Sequence, residues 1–260
     1  MKIISWNVAG LRSIIKKEEF NNFFKKYKFD ILCFQEIKVN ENEIILPDYI
    51  DNNYIYSYWN SSKKNKGLSG VLILSKIKPI KDLEYPNFDD EGRIYSLEFK
   101  KYILINVYVP NSQKINSERY NYREIWNKKF NNYLKDIKKE YPLKKIIICG
   151  DMNVAFEDID INNPKLKRNK YAGFYDNERE AFDILLKRNR LKDVFRILNP
   201  NTQAFTYWSN FLKSERSNKN GWRLDYFLVS NSLIKYINNF KIYMEIKGSD
   251  HCPIMMDIEI

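Results

Sequence analysis

Carboxylates, amides, a phenol and an imidazole stand at the ends of apolar runs along this chain. Asn7 follows Ile3-Ile4-Ser5-Trp6, and Gln35-Glu36 follow Ile31-Leu32-Cys33-Phe34. Asn106 and Tyr108 lie in a run stopped by Pro110-Asn111, while Asp151 and Asn153 follow Ile146-Ile147-Ile148-Cys149. Asp225 interrupts Trp222-Arg223-Leu224-Asp225-Tyr226-Phe227, and Asp250-His251 precede the last apolar run. One acid at a strand end is a cap or a turn. Six such ends exceed what capping needs. His251 is the only histidine of 260 residues. Imidazole suits proton movement near neutral pH, yet a lone histidine beside a strand is more often structural, so its meaning depends on partners.

The chemistry these groups suit is phosphodiester hydrolysis. That reaction needs a hard divalent cation held by one or two carboxylates, a water activated by a base, and donors for charge growing on phosphoryl oxygens. With one histidine and no paired cysteines, zinc is disfavoured. No Walker-type glycine loop and no Gly-x-Ser-x-Gly occurs, which disfavours nucleoside triphosphate hydrolysis and serine hydrolysis.

A formal charge of +11 points to a polyanionic partner. Abundant Lys, Asn, Ile and Tyr also fit an AT-rich genome, and lysine drift alone would raise the charge. Basic residues nevertheless concentrate at Lys63-Lys64-Asn65-Lys66, at Lys165-Leu166-Lys167-Arg168-Asn169-Lys170 and between Lys213 and Lys219. No basic amphipathic helix with a broad apolar face stands out, so nucleic acid is expected rather than membrane. No run approaches the roughly 18 apolar residues that span a bilayer, and the start, Met1-Lys2-Ile3-Ile4-Ser5-Trp6, turns polar too soon for a leader. Cys33, Cys149 and Cys252 are far apart in apolar runs, which reads as buried thiols in a reducing compartment.

The elements that must position these groups follow from periodicity. Strands are expected over 3–5, 31–34, 70–74, 94–99, 102–109, 145–149, 226–229 and 254–260. Helices are expected over 18–28, 119–139 and 177–189, where apolar residues recur three and four apart. This mixture implies an α/β sandwich, and with no Ser/Gly/Pro-rich linker a single domain over 1–260 is expected. Asn-Val-Ala occurs at Asn7-Val8-Ala9 and again at Asn153-Val154-Ala155, a weak sign that two sheets present equivalent strand ends at one edge.

Taken in order, Ser5-Trp6-Asn7-Val8, Gly10-Leu11-Arg12, Gln35-Glu36, Tyr108-Val109-Pro110-Asn111, Gly150-Asp151-Met152-Asn153, Trp222-Arg223-Leu224-Asp225-Tyr226-Phe227 and Ser249-Asp250-His251-Cys252-Pro253 resemble the exonuclease III family. These are abasic-site endonucleases of base-excision repair within the endonuclease/exonuclease/phosphatase superfamily. The resemblance runs from residue 2 to the C-terminus and includes Asn163-Pro164-Lys165 and Ala172-Gly173-Phe174.

The resemblance implies a four-layered α/β sandwich, two mixed β-sheets flanked by helices. It implies Mg²⁺-dependent cleavage 5′ to an abasic site in double-stranded DNA, with Mn²⁺ as a substitute. Companion 3′-phosphodiesterase and 3′→5′ exonuclease activities belong to the same family. Their balance depends on loops around Phe211–Lys213 and Lys114. Glu36 is implied as the principal metal ligand, with Asn7, Asp151, Asn153 and Asp250 in the metal environment. Asp151 would activate or orient the attacking water, which Asn153 positions. His251 would contact the scissile phosphate, oriented by Asp225. Tyr108 and Asn111 are implied as phosphate contacts. The identity of the base and the number of metals stay open. Trp222 and Leu224 resemble walls of the apolar pocket that takes the flipped, base-less sugar, with Tyr207 at the position of the third, aromatic wall. Core packing is the competing reading of these three. Such a pocket selects by size, and extrusion is cheap when no base is stacked. Lys114 and Arg216 match DNA-contacting positions loosely.

Ala9 departs from the pattern. The family has Asn or Asp there, beside the metal environment, and a methyl group can neither coordinate nor accept a hydrogen bond. Superfamily branches acting on lipids, inositol phosphates, poly(A) or undamaged DNA often carry a second histidine, which this chain lacks. A retrotransposon-type endonuclease and a DNA-binding relic that recognises damage without cutting remain as rivals. A monomer is expected, in a bacterial cytoplasm or a eukaryotic nucleus.

Overall fold

In the computed structural model, which describes residues 1–209, 216 and 220–260, two six-stranded sheets pack face to face. Strands of the first sheet are β1 (Lys2–Asn7), β2 (Ile31–Gln35), β3 (Tyr56–Asn60) and β4 (Val71–Ser75). The chain then builds the second sheet with β5 (Lys81–Asp82), β6 (Ile94–Glu98), β7 (Tyr102–Tyr108), β8 (Lys145–Asp151), β9 (Leu191–Asp193) and β10 (Asp225–Ser230). It returns to the first with β11 (Ile237–Ile242) and β12 (Ile254–Ile258). The helices are α1 (Leu11–Ile14), α2 (Glu18–Lys26), α3 (Asp48–Asp51), α4 (Glu118–Glu140), α5 (Pro164–Lys167), α6 (Asp176–Asn189) and α7 (Val194–Leu198).

Strand order is β11-β12-β1-β2-β4-β3 in one sheet and β5-β6-β7-β8-β10-β9 in the other. Read from opposite edges, the two orders superimpose. Each has one central parallel pair, β1 with β2 and β7 with β8, and antiparallel neighbours outside it.

Side chains alternate across each strand, so a sheet covered on both faces needs apolar residues at every position. Ile3, Ile31, Cys33, Ile73, Leu104, Ile147, Phe227 and Met256 fill the layer between the sheets. Their neighbours Ile4, Trp6, Leu32, Phe34 and Leu72 face outward onto Leu11, Ile14, Phe20, Phe23 and Phe24 of α1 and α2. On the far side Ile103, Ile105, Ile146, Ile148 and Leu228 meet Trp126, Phe130, Leu134 and Ile137 of α4 and Phe182 and Leu185 of α6. The layers are therefore helix, sheet, sheet, helix, as expected. Helix α4 starts where the Ser117 side chain accepts from the Tyr120 amide, and ends with Lys138 and Lys139 in its last turn. Gly150 permits the close parallel pairing of β7 and β8: its φ is +139°, and a Cβ would lie 1.9 Å from the Val107 carbonyl oxygen.

The periodicity located eight strands and three long helices within a few residues of their observed spans. It gave no sign of β3, β5, β9 or β11. β5 and β11 alternate weakly, with half or more of their side chains exposed or half-buried, and lie at or next to a sheet edge.

Candidate active site

Parallel central strands end on the same side, and their antiparallel neighbours β10 and β12 begin there, so one end of the sandwich collects six chain segments. Asn7 closes β1 and Asp151 closes β8, and the Asn7 amide donates across the sheets to Asp151 Oδ2 at 2.9 Å. The two ends are built alike. Asn7 Oδ1 accepts from the Ala9 backbone N–H (3.0 Å), and Asp151 Oδ1 accepts from that of Asn153 (2.8 Å). Ala9 and Asn153 both take left-handed backbone, φ +48° and +47°. The internal repetition is thus real but offset: Asn7 corresponds to Asp151 and Ala9 to Asn153, two residues away from the Asn-Val-Ala alignment.

Asp225 lies directly opposite Asp151 in the β8–β10 register. Its Oδ2 is 2.8 Å from His251 Nδ1, and His251 Nε2 is 3.7 Å from Asp151 Oδ2. The imidazole therefore bridges two buried carboxylates. Backbone N–H groups of Leu224 and Asp225 donate to Thr206 Oγ1 at 2.9 and 3.1 Å, and the Trp6 indole donates to the His251 carbonyl at 3.1 Å. Burial lifts the Asp151 carboxyl; His251 opposes this and Asp225 adds to it, leaving a value of about 7. Burial alone would lower the imidazolium, but the Asp225 and Asp151 charges outweigh it and raise His251 to about 10.

Asn153 donates to the Val109 carbonyl at 2.8 Å, and its Oδ1 accepts from the Asn111 amide at 3.1 Å. Tyr108 stays a neutral phenol: burial pushes it well up, with Glu36 and Asp151 adding, while Arg93 pulls the other way. Arg93 sits 4.5 Å over the Tyr108 ring. Glu36, at φ +56°, leaves β2 in left-handed backbone and pairs with Lys38 at 2.7 Å.

A cleft of about 640 Å³ joins most of the expected residues. Glu36, Tyr108, Asn111, Asp151, Asn153, Asp250 and His251 line it beside Tyr207, Trp222 and Leu224. Tyr207 and Trp222 exchange backbone hydrogen bonds at 2.9 Å, and the Tyr207 ring centroid is 4.8 Å from that of His251. Trp222 and Leu224 pack with Phe174 and Ile161. Asn7 is buried beneath Asp151 rather than in the cleft lining. Lys114 is exposed away from that lining. Arg216 stacks 4.5 Å over Trp208 and lines a neighbouring cavity with Ala9 and Asp250, not the wall of the cleft. Phe211–Lys213 and, apart from Arg216, the run from Lys213 to Lys219 lie outside the described residues.

The chain resembles known nucleases over its whole length. The model of the Endonuclease/Exonuclease/phosphatase family matches residues 4–251. The chain belongs to that family. Among its relatives, the exodeoxyribonuclease of Bacillus subtilis (strain 168) is 38% identical over 265 residues, covering all of both chains. The DNA repair nuclease APEX1 of Danio rerio is 40% identical over 266 residues, covering all of this chain and 83% of the relative. The solved structure of an AP endonuclease from Archaeoglobus fulgidus covers all of both chains at a TM-score of 0.88 and 28% identity. The resemblance read from the ordered motifs is borne out. So is the layered fold.

Two side chains that hold this site together, Arg123 and Lys38, are not singled out by motif reading. Arg123 of α4 is fully buried and donates to the carbonyls of Met152 (3.0 Å) and Pro110, clamping the loops after β8 and β7. Its sequence signal is an arginine on the helix's apolar stripe, three residues before Trp126. Lys38 orients Glu36 from two residues away. Gln35 donates to Asn106 Oδ1 at 2.7 Å and to Ser5 Oγ at 3.0 Å between the sheets, tying β1, β2 and β7 together beneath the cleft.

Cations fit this donor set. Asp151, Asp225 and His251 bring ligand atoms within 4.8 Å of one another, and the Glu36 and Asp250 carboxylates line the same cleft. Oxygen donors dominate and all three cysteines are buried elsewhere, so a hard divalent ion suits the site better than zinc. Among the described residues no helix is long and apolar enough to cross a membrane.

Proposed function

We propose that this protein is a Mg²⁺-dependent DNA repair endonuclease, a single domain over 1–260 that hydrolyses the phosphodiester 5′ to an abasic site as a monomer. The observation that carries the reading is the buried Asp225–His251–Asp151 bridge, set at one end of a cleft whose other wall is the apolar Tyr207–Trp222–Leu224 group. Charge chemistry and a sugar-sized apolar wall then meet at one phosphate.

Glu36 and Asp250, with Asp151 and Asn153 beside them, would hold Mg²⁺ (or Mn²⁺). When bound, it supplies positive charge to a phosphoryl oxygen. Asp151, lifted to about 7, is matched to taking a proton from water at neutral pH. Its two oxygens are oriented by Asn7 and Asn153. His251 donates Nδ1–H to Asp225 and so presents Nε2–H toward the cleft as a charged donor. Tyr108 donates its phenolic hydrogen to the same phosphate, and Asn111 and Asn153 offer amides. Trp222, Leu224 and Tyr207 take the base-less sugar by shape.

The net charge of +11 supports a DNA partner. Buried free cysteines agree with an intracellular setting, cytoplasm or nucleus. The test is a duplex carrying one tetrahydrofuran abasic analogue, incubated with Mg²⁺ or with EDTA. A single Mg²⁺-dependent incision 5′ to the analogue is expected. Binding without incision would instead favour the relic that recognises damage but does not cut.

A further inference from the structure

Two segments that line the cleft are tied to one buried carboxylate outside it. The turn after β7 supplies Asn111, and the stretch between α5 and α6 supplies Tyr171 and Ala172. The carboxylate is Glu178, in the first turn of α6 and 1% exposed. Its Oε1 accepts from Ser112 Oγ at 2.6 Å, and its Oε2 accepts from the backbone N–H groups of Gly173 (2.7 Å) and Tyr175 (3.1 Å). The bond from Tyr175 caps α6. Capping needs no more than that one, and the other two join the segments to each other. Tyr175 Oη adds a second tie, donating to the Gln113 carbonyl at 3.0 Å.

Each arm ends on the site. Next to Ser112, the Asn111 amide donates to Asn153 Oδ1 at 3.1 Å, and the Asn153 backbone N–H donates to Asp151 Oδ1. On the other arm the Gly173 carbonyl accepts from the Ala155 amide at 2.8 Å. Gly173 backs directly onto the wall: a Cβ there would lie 3.6 Å from the Trp222 ring and 3.7 Å from Leu224 Cδ2. We infer that Glu178 is a positioning residue: it sets the spacing between the Asn111 amide and the Trp222–Leu224 wall, so that one phosphate and its base-less sugar are held together. Glu178 itself touches neither. The role rests on the proposed endonuclease reading, in which Asn111 meets the phosphate.

Ser112→Ala cuts one arm and leaves the α6 cap in place. On the tetrahydrofuran duplex it is expected to lower kcat roughly tenfold, as a displaced contact does, with KM within about twofold. Glu178→Ala cuts both arms, so kcat should fall and KM should rise. Glu178→Gln should restore both to within about threefold, because its carbonyl oxygen accepts from Gly173 and Tyr175 while its amide donates to the Ser112 hydroxyl. Each variant is measured well below its denaturation midpoint. Should Glu178→Ala not fold, Ser112→Ala decides through a double-mutant cycle with Asn111→Ala. In that background Ser112→Ala should cost nothing further, since its effect passes through the Asn111 amide. Equal losses in both backgrounds, or a lowered midpoint with kcat and KM unchanged, overturn the positioning role and leave the endonuclease reading standing. Asn111→Ala that incises like wild type removes the phosphate contact and the positioning role with it. Wild type that makes no incision removes the endonuclease reading itself.

Discussion

Asp151 and Asp225 face each other across the β8–β10 pair, two buried carboxylates in direct register. Like charges opposite one another in a sheet are destabilising. The arrangement persists because His251 lies between them, 2.8 Å from one and 3.7 Å from the other. Each acid raises the imidazole's proton affinity, and the imidazolium tempers the repulsion of the acids. The site is thus a three-body unit, and removing one member changes the other two.

Replacing Asp225 by Asn should therefore show first at His251. Asp225 is the leading cause of the histidine's rise to about 10, so the variant's imidazole should titrate well below the wild type. With a single histidine in the chain, one Cε1–H resonance follows it without overlap. A histidine raised above its ordinary value near 6.5 contributes stability below that pH and loses it as pH rises through about 10. Asp151, raised to about 7, acts in the same direction at lower pH. Metal-free wild type should lose stability from about pH 6.5 to 10, and Asp225→Asn should flatten that slope. Identical titration curves for both proteins would exclude the bridge.

Asp151→Asn should cost about 10²- to 10⁴-fold in kcat on the abasic duplex, the range of a positioned proton acceptor. Binding should move the other way. Removing a buried negative charge from beneath the phosphate should leave Kd in EDTA equal to or tighter than wild type, measured by fluorescence anisotropy. A parallel loss of binding and rate would mean that the carboxylate acts on the fold instead.

The layers were legible in the sequence because both faces of each sheet are covered, so core strands appear as unbroken apolar runs such as Ile146–Cys149. The polar residues ending those runs were legible for the same reason: they mark where the cover stops. Long-range pairing was not. Nothing local tells that Asp225 meets Asp151, or that Asn7 matches Asp151 and not Asn153, because register between distant strands is set by the whole sheet. Arg123 was hidden by its position on an apolar helical stripe, where a charged residue works only if loop carbonyls receive it. Arg216 matches a DNA-contacting position only loosely in the sequence, and nothing local tells that its guanidinium lies over Trp208.

Ala9 occupies left-handed backbone at φ +48°, a region that costs an L-residue with a Cβ roughly 1–2 kcal/mol and that Asn tolerates better. Its methyl lines the cavity next to Asp250. Ala9→Asn and Ala9→Gly should each raise stability by about 0.5–1 kcal/mol, read as a higher denaturation midpoint at unchanged m. Ala9→Asp adds an oxygen donor beside Asp250 and should lower the Mg²⁺ concentration for half-maximal incision several-fold. Superimposable Mg²⁺ titrations would show that the missing acid has no part in metal binding here.

Arg223 separates the two wall residues Trp222 and Leu224 and turns its guanidinium away from the cleft. Asp160 receives it at 2.7 and 2.8 Å, and Asp193 at 2.7 Å; Arg196 adds a further pair to Asp160. Burial would raise the Asp160 carboxyl, but the Arg223 and Arg196 charges outweigh it and hold it below its ordinary value. A carboxylate so lowered contributes stability above its unfolded value and loses it as pH falls through the folded one. Asp160→Asn leaves Arg223 buried with half its compensation, and should cost about 3–5 kcal/mol. The acid limb of the stability profile should become shallower in the same variant. Because Arg223 fixes the backbone between Trp222 and Leu224, KM for the abasic duplex should rise more than kcat falls, measured well below the variant's melting point. A stability loss with KM unchanged would show that the cluster supports the fold without setting the wall.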